Sequence, residues 1–205
     1  MKKLVIFLTL VCSLFAFGAG VAAKDPVITS GQMVWAGLDY SHARLIGPGQ
    51  FNEPDAIFPG IFESWNDLFL RERIRVIEKE TKKNWNIDID AVTVANKNGG
   101  NDQIIGSPGA DDIIASSHIT PEQIHNIVKA YDLKNKSGTA VVFIVDRLVK
   151  LDKKGEGAVY VVAFDIASRE VVFSQRETSK ATGFGFRNYW FRVIKNAERA
   201  LKNLR

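Results

Sequence analysis

Asp39, His42, Asp146 and Asp165 have the greatest chemical potential in this sequence, and three of them, the aspartates, fall towards the ends of expected strands. Carboxylates gathered at a sheet edge can bind a hard cation or share acid and base work. Ser41 and His42 beside Asp39 supply the residue types of a nucleophile, a base and an orienting acid. Neighbours on an extended chain point to opposite faces, however, and a triad needs its base across from its nucleophile. The aspartates also have a simpler reading, in which each ends the buried part of a strand and faces solvent or pairs with Arg147 or Arg169. His118 precedes a helix and His125 lies within it, with no third ligand at a helical spacing, so no zinc site is expected. No catalytic residue, metal ligand or cofactor is assigned. A small hydrolase acting on a carbohydrate or other small molecule through Asp39, His42 and Asp165 remains the alternative to a binding role.

Two further groups of residues suggest contact with other molecules. Gly183-Phe184-Gly185-Phe186-Arg187 opens a helix, where free N–H groups and the helix dipole meet Lys180 and Arg187. Lys180, Gly183, Gly185 and Arg187 are therefore the candidate ligand or anion site, although the spacing matches neither the P-loop nor the dinucleotide fingerprint. On the other reading the glycines permit a sharp turn while Phe184 and Phe186 plug the core. Phe51, Phe58, Phe62 and Trp65 crowd the first long loop, and Phe184, Phe186, Tyr189, Trp190 and Phe191 crowd the last one. They exceed what one inward face can hold. This points to an exposed apolar surface for a partner, with Phe51, Phe58, Phe62 and Trp65 as its candidates, or to two sets of caps on the open ends of the core.

The elements that must hold these groups are clearest from residue 139 onwards. Residues 139–151 are β-branched and apolar on both faces up to Val145, as a strand covered on both sides should be. Residues 152–157 and 167–170 are too short for crossover helices, so residues 158–166 and 171–179 should continue as an antiparallel meander. Trp190, Ile194, Ala197, Leu201 and Leu204 then mark an amphipathic helix, starting near Phe186, that should lie across it. Upstream, residues 33–40 read as a strand with Val34, Ala36 and Leu38 on one face. Residues 43–60 read as a long loop, 61–83 as a long helix, 85–94 as a strand, 95–110 as an exposed loop and 112–116 as a short strand. Thr120-Pro121-Glu122-Gln123 has the cap, first-turn proline and returning glutamine of a helix start, and that helix should run to about Tyr131.

Met1-Lys2-Lys3, an apolar run from Leu4 to Phe17 and small residues at Val21 and Ala23 form the three parts of a secretory signal peptide, with cleavage expected after Ala23. This run of fourteen residues falls short of the roughly 20 that span a bilayer, so no stable membrane span is expected after cleavage. Losing Lys2 and Lys3 lowers the formal charge from +4 to +2. Nothing in that balance calls for nucleic acid or an anionic membrane. Cys12, the single cysteine, lies inside the leader, after Leu10 and Val11 rather than the small residues of a lipoprotein signal. The mature chain would then hold no thiol, disulfide or cysteine-ligated metal.

Residues 24–205 are expected to form one domain of the α+β class, a mixed sheet ending in a three-stranded antiparallel meander packed against amphipathic helices. In element order, with the signal peptide and the ending from Phe164-Asp165 to Trp190, the chain resembles the small envelope domains of the curli-secretion lipoprotein, the penicillin-binding-protein activator lipoproteins and the N-terminal part of TolB. That resemblance implies a non-catalytic binding or assembly module, periplasmic or secreted, whose partner is another envelope protein or a second copy of itself.

Overall fold

The computed structural model describes residues 32–204 except 48, 52, 107, 108, 110–112, 135 and 152. The leader, its cleavage point and Cys12 lie outside the described residues. Among the described residues, seven strands form one sheet around β5 (Thr139–Leu151). β6 (Lys154–Asp165) pairs with β5 along its whole length, from Thr139 opposite Asp165 to Leu151 opposite Lys154, and β7 (Val171–Lys180) pairs with β6. With that edge of β5 filled, β1 (Gln32–Asp39) and β2 (Arg44–Ile46) share the other, β1 against residues 139–144 and β2 against 147–149. β3 (Asn84–Ile87) flanks β1, and β4 (Ile104–Ile105) flanks β2.

The expected class is therefore corrected. The path β3-β1-β5-β2-β4 is parallel at every step, a curled half-barrel of parallel strands, and β5, expected to open a meander, is the strand on which that parallel half is built. Parallel neighbours require crossovers, and helices supply them. α1 (Pro54–Ala56), α2 (Phe62–Glu72) and α3 (Ile74–Thr81) carry the chain from β2 to β3, α4 (Asp90–Asn96) leads towards β4, and α5 (Pro121–Ala130) leads back to β5. α6 (Phe186–Ala197) crosses β6 and β7 and ends in a 3-10 turn at Glu198–Asn203.

Both faces of the sheet are covered, which makes three layers rather than helices gathered on one side. Val141, Phe143 and Val145 point to the face closed by α2, α3 and α6, while Ala140, Val142 and Ile144 point to the face closed by α4 and α5. On the first face Trp35 stacks on Phe69 with centroids 4.2 Å apart and meets Phe143 edge-on at 5.0 Å. Burying each such side chain contributes about 1.5–3 kcal/mol before its lost freedom is subtracted.

Several local expectations are also corrected. Residues 43–60 are not a continuous loop, because β2 and α1 lie within them. The helix expected over 61–83 breaks at Arg73, whose φ of −115° separates α2 from α3. Arg73 turns instead to Glu198, donating from Nε and Nη2 at 2.7 and 2.6 Å. The strand expected over 85–94 stops at Ile87, and Ala91 and Val92 enter the core from α4. Residues 113–116 form a turn, and residue 112 lies outside the described residues. Along β1, Val34 and Ala36 face α4 and α5, but Leu38 joins Trp35 on the opposite face. The register shifts between Trp35 and Gly37, and Gly37 adopts a φ of +114° that resets the alternation.

Candidate functional site

Two interruptions in neighbouring strands meet and build the site. Between the pairs Asp39–Ile144 and Arg44–Arg147, residues 40–43 stand against only Val145 and Asp146 on β5. On the other edge the register jumps from Val145–Val159 to Arg147–Ala158, so Asp146 is left out of the ladder there too. Such a bulge re-aims side chains. Asp146 and Arg147, consecutive in sequence, both reach the segment 113–119 that leads into α5.

Three side-chain amides pin the crossing loop from behind. Asn66 accepts from the Leu38 N–H at 2.8 Å and donates to the Leu38 carbonyl, Asn96 donates to that carbonyl and accepts from the Tyr40 N–H at 2.9 Å, and Gln103 Nε2 donates to Tyr40 O and Ala43 O at 2.8 Å each. Backbone groups left out of the ladder are satisfied in this way.

Asp146 is fully buried and its charge is answered from three sides. Arg176 on β7 donates to Oδ2 from Nε at 2.8 Å and Nη2 at 2.6 Å, and the same Nη2 also reaches the carbonyls of Ile114 and Ser116. His118 Nδ1 lies 2.9 Å from Oδ1, and Ser117 donates to that oxygen at 3.2 Å. Burial alone would raise the carboxyl pKa, but the bonds from His118 and Arg176 and their charge outweigh it and hold the group below the usual carboxylate range. Arg147 Nη1 donates to Ile113 O at 2.9 Å. The cluster thus staples the 113–119 segment to the sheet.

His118 extends this network to the surface. Its Nε2 sits 2.8 Å from the carbonyl oxygen of His42, which joins the loop after β1 to the segment before α5. Between them opens a cleft of about 280 Å³. His42, His118, Gln123 and Asn126 supply its polar lining, and Ile119, Ile127 and Ala130 its apolar lining. Gln123 is oriented by the capping box of α5: its Oε1 accepts from the Thr120 N–H at 2.7 Å, while its N–H donates to Thr120 Oγ1.

The hydrolytic set does not converge. Asp39 is buried, accepts from Ser41 N at 2.8 Å and Ser41 Oγ at 2.6 Å, and is closed off by the Tyr131 hydroxyl. Burial and the Asp39 charge push the Tyr131 pKa well up, so it remains a phenol that donates to that carboxylate. Asp165 pairs with Thr139 at the far end of β5, five residues before the partner of Asp39, a span of roughly 16 Å at 3.3 Å per residue. There it accepts from the N–H and hydroxyl of Ser168, which together lower its pKa. His42 lines the cleft, and no carboxylate is among the described residues that line it. Asp146 and Asp165 are seven β5 residues apart and do not meet. Among the described residues, no group of three histidines or carboxylates is placed to hold a metal ion.

The other candidates are also placed. Phe51, Phe62 and Trp65 are core residues, at most 2 % exposed, and Phe58 is partly buried against Phe62. They fill the space under α2 and α6, with Phe51 5.6 Å from Trp190 and Phe62 4.7 Å from Trp65, so the expected partner surface is not there. Gly183 and Gly185 line a second hollow, with Lys150, Tyr189 and Trp190, while Lys180 and Arg187 stand exposed and outside its lining. Its cation is Lys150, 4.7 Å from the Tyr189 ring centroid. Phe184, one of the two expected core plugs, is 95 % exposed. The sequence carries no direct sign that His118 and Arg176 are the partners of Asp146. The available signal was the break in the apolar alternation of β5, where Val145 and Leu148 share a face although three positions apart.

No protein-family model and no curated protein matches this chain. A solved structure similar to it is that of the hypothetical protein CT253 from Chlamydia trachomatis, at 10% identity and a TM-score of 0.33, covering 85% of this chain and 93% of that one.

Proposed function

We propose that this chain is an exported, non-catalytic binding module of the cell envelope, and that it takes a neutral peptide segment of a partner in the cleft between His42 and α5. The lining of that cleft carries the reading. The amides of Gln123 and Asn126 offer neutral donors and acceptors, with the His42 imidazole, beside an apolar wall of Ile119, Ile127 and Ala130, and none of the described lining residues is a carboxylate, lysine or arginine. Amide groups of a peptide match that pattern, and the volume lies just below the roughly 300–1,000 Å³ of small-ligand clefts. The acids that a hydrolase would use are already committed, Asp39 to Ser41 and Tyr131, Asp146 to Arg176 and His118, and Asp165 to Ser168. Export rests on the leader, and periplasmic or secreted chain should begin at Lys24 by intact mass. Among the described residues no helix is long and apolar enough to cross a membrane.

The test is a titration of the isotope-labelled protein with a pool of acetylated, amidated tripeptides of neutral side chains, followed by amide chemical shifts and by mass spectrometry of the peptides. Saturable shifts centred on His42, Gln123, Asn126 and Ile127, with Kd near or below about 1 mM and the peptides intact, are expected. Cleaved peptides would make the chain an enzyme. Shifts scattered over the surface, or none, would remove the cleft as a site.

A further inference from the structure

Where β5 turns into β6, beyond the bulge at Asp146, a different surface stands out, and it shares no lining residue with the cleft. The hairpin from β5 to β6 places Leu151, Lys153 and Lys154 on the outside, and β7 ends beside it, with Lys180 opposite Glu156 and the Ala181 N–H donating to Gly155 O at 2.8 Å. The chain then makes the turn 182–185 into α6. Lys150 and Tyr189 bridge the two loops: Lys150 lies over the Tyr189 ring, and Gly155 leaves room for the Tyr189 hydroxyl that a side chain there would fill.

Phe184 projects from this end. Gly183 and Gly185 flank it with φ of +132° and +74°, conformations that L side chains rarely adopt, and at Gly183 an added Cβ would come within 3.2 Å of the Asn188 carbonyl. The backbone is thus specialised to turn the ring outward, where it is 95 % exposed, while Phe186 packs inward against Phe51 and Trp190. On the β5–β6 hairpin Leu151 is a further exposed apolar side chain, 38 % exposed. In sequence, residues 150–156 and 180–187 hold Lys150, Lys153, Lys154, Lys180 and Arg187 against Asp152 and Glu156, a net charge of +3.

We propose that this end docks on an anionic lipid bilayer, with Phe184 inserted at the boundary between headgroups and acyl chains and the lysines and Arg187 on the lipid phosphates. The shape favours a bilayer over a protein. A protein interface needs a broad patch, typically about 800 Å² on each side, whereas a single projecting ring on loops of net positive charge suits a soft surface that closes around it. The charge names the headgroups. Cations close to a negatively charged leaflet are attracted strongly, and an aromatic ring settles at the interface. The leader, if it is cleaved as expected, leaves this contact as a reversible one.

The experiment is flotation of the full chain, as recovered from the producing cell, with vesicles of phosphatidylcholine alone or with a third phosphatidylglycerol. Wild type is expected to float with the anionic vesicles and to be released as salt is raised. Phe184→Ala should weaken this partition about tenfold, and Lys153→Glu with Lys154→Glu by more than tenfold, at about fivefold for each cation removed. Phe184 and both lysines are exposed, so near-ultraviolet circular dichroism should not change. As a second readout, Phe184→Trp should show blue-shifted emission and quenching by brominated acyl chains. Failure of wild type to float, equal flotation with neutral vesicles, or flotation that Phe184→Ala leaves unchanged would each overturn the proposal. The last result would assign any binding to another part of the chain, such as a retained leader.

Discussion

Arg176 and Asp146 meet across the intervening strand β6, with two guanidinium nitrogens 2.8 and 2.6 Å from one carboxylate oxygen whose side chain has no solvent exposure. The pair joins β5 to β7 and, through the carbonyls of Ile114 and Ser116, holds the segment that carries His118. Removing one partner of a buried pair strands the other, which typically costs about 3–5 kcal/mol. Asp146→Ala is therefore expected to lower the urea midpoint by an amount corresponding to about 3 kcal/mol or more. Adding Arg176→Met should recover part of that loss, and the double-mutant cycle measures the coupling.

The same carboxylate sets a pH dependence. Its pKa is lowered in the fold, so its contribution is complete above the ordinary carboxylate value near 3.9 and is lost as pH falls through the lower folded value. Glu198 has the opposite sign, because burial raises its pKa despite Arg73, and its protonation in acid partly offsets the loss. Thermal melts between pH 5 and pH 2 should show wild type losing stability below about pH 4 more steeply than Asp146→Asn.

At Gly37 the bulge in β1 depends on the absence of a side chain. An added Cβ would lie 3.1 Å from Asn66 Oδ1 and 3.3 Å from Ile89 Cγ2, at a φ of +114°. Gly37→Ala is expected to cost about 2–4 kcal/mol by chemical denaturation, the backbone strain added to the displacement of Asn66 from Leu38. Gly49→Ala, at a φ of +69° with nothing within 4 Å, should cost about 1 kcal/mol.

Gln103 tests how firmly the loop of His42 is held. Its Nε2 bonds both Tyr40 O and Ala43 O, and Gln103→Ala leaves these carbonyls without that donor. A loss of about 1–3 kcal/mol is expected, with faster amide hydrogen exchange concentrated at residues 41–44.

The sequence was most informative where chemistry is local. Thr120, Pro121 and Gln123 announce the start of α5 because a capping box uses residues three apart, and the β-branched run of β5 and the apolar stripe of α6 announce those elements by composition and period. The class was not legible. β2, β3 and β4 hold three, four and two residues, too few for any period to show, and they supply three of the five strands of the parallel half. Taken one helix at a time, the inward faces have no room for Trp65 and Phe51, whereas α2 and α6 share one layer that these residues fill together. The cleft escaped because His42 and His118 lie 76 residues apart and are joined through a backbone carbonyl, which leaves no side-chain pattern to find.

The central claim is that the cleft beside α5 binds a peptide, and Ala130→Trp tests it most directly. Ala130 is exposed at the end of α5 and lines the cleft, so an indole there fills the space while the buried cluster stays intact. In the neutral tripeptide titration, Ala130→Trp is expected to weaken binding at least about tenfold with an unchanged melting temperature, since the contacts of the filled cleft are lost. Equal affinity in wild type and Ala130→Trp would contradict the claim.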